Sequence, residues 1–193
     1  MAHQPNPADY EAQKSAIETL KNQSQTGDIA VYFEDESGFS LTPSVSYAWQ
    51  YKGQHLDVPT ARSQRINVLG FLKWGGQELK SLVFNGSINT ACVVAAIDHC
   101  FPSVEKETWI ILDNAPMHKS HEFMEKTKAW AKRKIHILFL PSYSPELNPI
   151  EIIWRFMKYT WLPLSAYQSI KQLTESLNDI LANYGKKYLI TFA

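Results

Sequence analysis

The sequence predicts an α/β domain, a mixed five-stranded sheet flanked by helices, and three observations carry that prediction. Three β-type runs come first, grouped together in the first 84 residues. Two short apolar runs follow, Thr108 to Leu112 and Ile135 to Leu140, each continuous in the way of a strand buried on both faces. Helical patterns separate these two runs and occupy the rest of the chain. A meander leading into strand–helix–strand units gives a mixed sheet with helices packed against it.

Taken in order, Asp9 to about Gln25 reads as a polar helix broken at Gly27-Asp28. Ile29 to Glu36 is the first strand, ending in the acidic tip Glu34-Asp35-Glu36. From Ser37 to Thr60 the chain is rich in Ser, Pro, Gly and aromatics, with a hairpin expected around Tyr47 to Tyr51. Gln64 to Trp74 and Glu78 to Phe84 are the next strands, joined at Gly75-Gly76. Asn89 to Phe101 has helical spacing, with Asn89 or Thr90 as its cap. His118 to Lys134 reads as a charged helix between the two buried strands. Helices are expected again from Pro149 and from about Ser169 to Tyr184. No internal repeat or low-complexity linker interrupts the pattern. The organisation expected is an N-terminal arm and helix over 1–27 and one compact domain over 28–193.

With 193 residues, 45% hydrophobic and 20% charged, the chain has the composition of a soluble globular protein. No window holds the roughly 20 continuous apolar residues of a membrane span. The start, Met-Ala-His-Gln-Pro-Asn-Pro, has no apolar run of the secretory kind, so a cytoplasmic protein is expected. Cys92 and Cys100 lie in one helical stretch without a CxxC or histidine cluster, and read as reduced core residues. Nineteen basic residues balance nineteen acidic ones, so any basic surface must be local.

Three acids stand out. Asp35 closes the first strand, and Asp113 follows the buried run Trp109-Ile110-Ile111-Leu112. If those strands are parallel neighbours, the two acids meet at their carboxyl ends, where ligand sites gather. Each also has a structural reading, Asp113 as a turn former before Asn114-Ala115-Pro116 and Asp35 as a solvated strand end. Glu151 follows Asn148-Pro149, a sound helix start, and could bond back to the Asn148 amide as in a capping box. Asn148, Glu151, Arg155 and Lys158 share one helix face, opposite the stripe Ile150, Ile153, Trp154, Met157 and Trp161. Two cations after a carboxylate suit a metal-bound phosphate and its neighbours, and a solvated amphipathic helix shows the same spacing. Three converging carboxylates repel one another without a cation. All-oxygen ligation selects Mg²⁺ or Mn²⁺, and two such ions about 4 Å apart serve phosphodiester chemistry.

Three stretches resemble the signature blocks of mariner-superfamily DDE transposases, in the bacterial insertion-sequence branch. They are Phe33-Glu34-Asp35-Glu36-Ser37-Gly38-Phe39, Leu112-Asp113-Asn114-Ala115-Pro116-Met117-His118, and Ser144-Pro145-Glu146-Leu147-Asn148-Pro149-Ile150-Glu151-Ile152-Ile153-Trp154. Tyr47-Ala48-Trp49, Lys52-Gly53-Gln54 and Asn67-Val68-Leu69-Gly70 are similar to segments between the first two blocks. The similarity runs from about Asp28 to Lys158. It implies a ribonuclease H-like fold with Asp35, Asp113 and Glu151 as catalytic and metal-binding residues. The 37 residues between Asp113 and Glu151 are slightly more than is usual for the branch.

The implied reaction is hydrolysis at the element ends with two Mg²⁺ or Mn²⁺ ions, then attack of the freed 3′-hydroxyl on target DNA. Asn114, His118 and Asn148 fall within the blocks and are implied to position metal or DNA. His118 has an equal structural reading, as the cap or start of the next helix. Arg155 and Lys158 are the expected phosphate contacts, and Trp49 either stacks on a base or packs locally. The basic crowd Lys119, Lys126, Lys128, Lys132, Arg133 and Lys134 spreads around its helix and reads mostly as solvated. The first acid comes at residue 35, without room before it for the helix-turn-helix module usual in the superfamily. The expected partners are therefore DNA, a second copy of the chain or more, and an upstream helix-turn-helix product fused by frameshifting. A nuclease without joining activity and a silent truncated remnant are the alternatives.

Overall fold

The strands form where β-branched and aromatic residues run together: β1 (Ala30–Ser40), β2 (Arg65–Lys73), β3 (Leu79–Asn85), β4 (Thr108–Leu112) and β5 (Ile135–Phe139). They make one sheet in the order β3-β2-β1-β4-β5. The meander β1, β2 and β3 is antiparallel, whereas β1, β4 and β5 run parallel. This computed structural model describes residues 7–44, 51–53 and 65–192. The expected hairpin at Tyr47 to Tyr51 falls largely outside them, and Trp49 lies outside them.

β1 differs from its expected form. The acidic tip does not end it, and Asp35 lies in mid-strand. Parallel pairing with β4 stops at Phe33↔Ile111, but antiparallel pairing with β2 continues to Ser40↔Arg65. A long-range partner thus extends β1 past its acidic run, which by composition alone reads as a strand end.

Helices cover both faces: α1 (Pro7–Thr26), α2 (Thr90–Cys100), α3 (His121–Ala131), α4 (Ile150–Phe156) and α5 (Ile170–Ala182). Asn89 caps α2, its side chain accepting from the Cys92 amide, and Ser169 caps α5 in the same way through Gln172. The helix expected from His118 starts later. Pro116–Lys119 is a 3₁₀ turn, and Ser120 caps α3 by accepting from Phe123 N. His118 therefore neither caps nor begins α3. α4 passes directly into a π-helical turn, Met157–Trp161.

One face of the sheet packs against α4 and α5, where Ile66, Val68 and Leu72 meet Ile150, Ile153, Trp154, Leu173 and Leu177. α1 joins this side through Ile17 and Leu20 against Val31 and Phe33. The opposite face buries Tyr32, Leu69, Phe71, Ile110 and Leu112 under α2 and α3. Asp98 of α2 ties those helices together by accepting bonds from Trp130 Nε1 (2.8 Å), Lys126 Nζ (2.9 Å) and Arg133 Nη1 (3.0 Å). Part of the basic crowd is thus engaged in structure. Cys92 and Cys100 are free thiols, half-buried rather than fully in the core. Among the described residues, no helix is long and apolar enough to cross a membrane.

Candidate active site

The parallel pair β1–β4 places the first two acids at the same end of the sheet. Asp35 lies two residues past the last parallel pair, and Asp113 directly follows β4. α4 then brings in Glu151 from its first turn. The three acids line one cleft of about 380 Å³, with Asn114, Asn148 and the loop from Leu140 to Pro145.

Asp35 is seated by the α4 face. Its Oδ2 accepts a 3.0 Å hydrogen bond from Trp154 Nε1. The indole reaches it because Gly70, opposite Asp35 in the β1–β2 register, has no side chain. A Cβ there would lie 2.7 Å from Trp154 Cη2 and 3.1 Å from Ile150 Cδ1. Burial pushes the Asp35 carboxyl up to about 7; the charges of Glu151 and Asp113 add to this, against the Glu36 amide and Trp154 bonds.

Asp113 does form the expected turn, its Oδ1 accepting from Ala115 N at 2.9 Å. The same oxygen lies 3.0 Å from His118 Nδ1, which also lies 3.2 Å from the Asp113 carbonyl. The His118 bond is the main reason that the Asp113 carboxyl sits below its ordinary range. His118 is buried, with Nε2 at 3.7 Å from Glu34 Oε2. Burial draws the imidazole pKa down, but the Asp113 bond and the Glu34 charge outweigh it and raise it. Glu34 itself is 1% exposed, and burial pushes its carboxyl up to about 8 despite the opposing imidazole.

Asn148 is also buried. Its Nδ2 donates to Glu34 O at 3.2 Å, pinning the start of α4 to β1 beside Asp35. No capping box forms: the Asn148 amide donates to Pro145 O, and Pro149 occupies the cap position. The Glu151 carboxylate therefore has no hydrogen-bond or ion-pair partner among the described residues and lines the cleft. Asn114 Nδ2 bonds the Leu140 carbonyl, which joins the ends of β4 and β5. Arg155 is exposed; Lys158 is half-buried, with Nζ 5.4 Å from the Phe39 ring centroid. Burial and the nearby Arg65 charge lower the Lys158 pKa, while Asp35 and Glu151 oppose them.

The sequence reading missed three side chains of this site. Trp154 reads as an ordinary core residue because its stripe position is apolar; only its N–H is aimed at Asp35. Glu34 reads as part of a solvated tip, although strand alternation points it away from Asp35. Tyr143, at the cleft, is 74% exposed and has a left-handed φ of 57°, uncommon for an aromatic residue.

The donor set is all oxygen, as hard divalent cations require. Among the described residues, however, no three His, Cys, Asp or Glu side chains converge on a single ion position. The acids share a cleft without closing around one point.

A family model described as DDE superfamily endonuclease matches residues 30–174. A 39 kDa protein of insertion element IS630 from Shigella sonnei is 29% identical over 156 residues, covering 78% of this chain and 44% of that protein. The chain spans less than half the length of the curated relatives it matches. A solved Mos1 mariner paired-end complex with Mn superposes with a TM-score of 0.61 at 17% identity, over 96% of this chain and 58% of that one. The Mos1 mariner transposase catalytic domain does so with 0.57 at 16% identity, over 94% and 85%. The likeness to both is one of fold, the mixed five-stranded, helix-flanked sheet of ribonuclease H-like catalytic domains.

Proposed function

Since the chain belongs to the DDE superfamily endonucleases, we propose that it is the catalytic domain of a DNA transposase, cutting phosphodiesters at element ends and joining them to target DNA. The observation that carries this is the meeting of Asp35, Asp113 and Glu151, from β1, the end of β4 and α4, in one cleft.

Asp35, Asp113 and Glu151 would hold two Mg²⁺ or Mn²⁺ ions. The fit rests on their oxygen-only chemistry and on the cleft they share, where burial first, and then the charges of Glu151 and Asp113, raise the Asp35 carboxyl. When bound, such ions activate the attacking oxygen and stabilise the leaving one. Asp35 is held by Trp154, so one of its oxygens has a fixed direction. Glu151, without a hydrogen-bond or ion-pair partner among the described residues and on a separate helix, is the ligand able to adjust. Arg155 and Lys158 follow Glu151 on the same side and would meet the phosphates flanking the scissile bond. DNA is the partner in this reading, with a second copy of the chain and an upstream helix-turn-helix product as further partners. The reaction takes place in the cytoplasm.

The test is incubation of the chain, alone and fused to the upstream frame, with terminal-repeat duplex and Mn²⁺ or Mg²⁺. Nicks and joined products are expected, and both should vanish in Asp35→Ala, Asp113→Ala and Glu151→Ala. Cleavage that survives all three substitutions would remove the triad. Cleavage without joining would make the chain a nuclease, and silence even in the fusion would make it a remnant.

A further inference from the structure

Glu34 and His118 take no direct part in the chemistry just described, yet their placement is costly. Among the described residues, neither carboxylate oxygen of Glu34 has a hydrogen-bond donor, and His118 Nε2 has no hydrogen-bond partner either. Burying such groups is among the least favourable things a core can do, and an apolar pair of similar size would serve stability better. Their geometry has a direction, however. Glu34 Oε2 faces Nε2 of the ring at 3.7 Å, and Nδ1 on the ring's other side meets Asp113 Oδ1 at 3.0 Å. Phe123, 5.6 Å away between ring centroids, backs the imidazole. Oδ1 of Asp113 receives both the imidazole and the Ala115 amide, and Oδ2 has no partner among the described residues.

We infer that Glu34 and His118 are positioning residues for Asp113. The buried carboxylate orients the imidazole, and the imidazole holds Asp113 by Oδ1, leaving Oδ2 for a divalent cation. This rests on the metal-binding reading of Asp35, Asp113 and Glu151. Asp113 needs such a device because it stands on a loop, its side chain 54% exposed. One strand thereby serves two acids from adjacent residues, presenting Asp35 itself on one face and orienting Asp113 through Glu34 on the other. Outer partners that orient a metal ligand are typically worth about 10- to 100-fold in metal affinity.

The experiment measures Mn²⁺ binding to the 193-residue chain by electron paramagnetic resonance of the free ion, beside thermal unfolding without metal. Glu34→Gln keeps shape and replaces the carboxyl with an amide that cannot ionise. It should raise the Mn²⁺ Kd about 10-fold or more while leaving Tm unchanged or higher. His118→Asn, whose amide can stand near Nδ1, should bind Mn²⁺ more tightly than His118→Ala. A Glu34→Gln Kd within about twofold of the parent overturns the inference. If Glu34→Gln lowers Tm, the histidine pair decides: equal affinity of His118→Asn and His118→Ala overturns the inference as well. A parent chain that binds no Mn²⁺, or an Asp113→Asn chain that binds it as the parent does, removes the metal reading itself and this inference with it.

Discussion

Asp35 and Asp113 face the same cleft from seats built in opposite ways. Asp35 belongs to a strand paired on its β2 side, and a core indole donates to it directly across the empty position of Gly70. Asp113 stands on a loop, and its imidazole partner approaches from beneath the α2–α3 face of the sheet. The first seat is made by packing, and its one polar contact comes from an indole that the core already fixes. The second is made of polar groups, and the core gains nothing from them. The two acids should therefore fail differently: damage at Asp35 costs stability together with metal binding, and damage behind Asp113 costs metal binding alone.

The largest effect expected from this contrast is at Gly70 and Trp154. Gly70→Val would drive a side chain into the indole and should destabilise the fold by about 1–3 kcal/mol, as overpacking generally does. Urea unfolding gives the loss, and Mn²⁺ binding should weaken in the same variant. Trp154→Phe keeps most of the ring and removes the N–H, with an expected cost of about 0.5–1.5 kcal/mol for the lost hydrogen bond. Full stability in both variants would break the claim that packing builds the Asp35 seat.

A smaller effect is expected at Asp98, on the α2–α3 side but away from the cleft. Burial raises its carboxyl pKa, but the bonds from Trp130, Lys126 and Arg133 outweigh this and hold it below the ordinary 3.8. A depressed carboxylate contributes stability that is present above its unfolded pKa and lost as pH falls through the folded one. Asp98→Asn should therefore lose about 1 kcal/mol near neutral pH, in keeping with partly exposed pairs. Its deficit should shrink below about pH 4, the ordinary carboxylate range. Equilibrium unfolding at pH 7 and pH 3 checks the sign. Mn²⁺ affinity should stay at the parent value, which separates the stability of this face from the polar device behind Asp113.

The smallest effect lies outside both seats. Arg155→Ala and Lys158→Ala should each reduce the salt slope of DNA binding by about 0.9, the contribution of one phosphate contact to duplex DNA. Filter binding between low and moderate salt measures it. Unchanged slopes in both would confine the role of this helix to carrying Glu151.

The sheet was legible because each strand is announced by its own composition: Trp109-Ile110-Ile111-Leu112 needs no partner to be recognised. That the three acids would meet in one cleft was legible for a similar reason, each lying inside a long block of unusual composition. The length of β1 was not, since Glu34-Asp35-Glu36 looks like a strand end until β2 is known to pair beyond it. Nor were the seats legible. That an apolar-stripe tryptophan would donate to Asp35, or that His118 would turn into the core toward Glu34, depends on residues 119 and 84 positions away. The reading of Asn148 shows the same limit. Its suitability as a cap is real, but its side chain is drawn to Glu34 O, which frees Glu151 from a capping role.

The unbroken acidic run in β1 has a consequence for how the chain can change length. Successive strand residues point to opposite faces, so a one-residue slip against β2 would push Asp35 into the buried place of Glu34 and set a glutamate against Trp154. The register that sets Asp35 opposite Gly70 is fixed within β1 and β2 themselves. A single deletion between Ala30 and Glu34 would shift that register. It would leave every acid in the sequence and exchange which of them reaches the cleft.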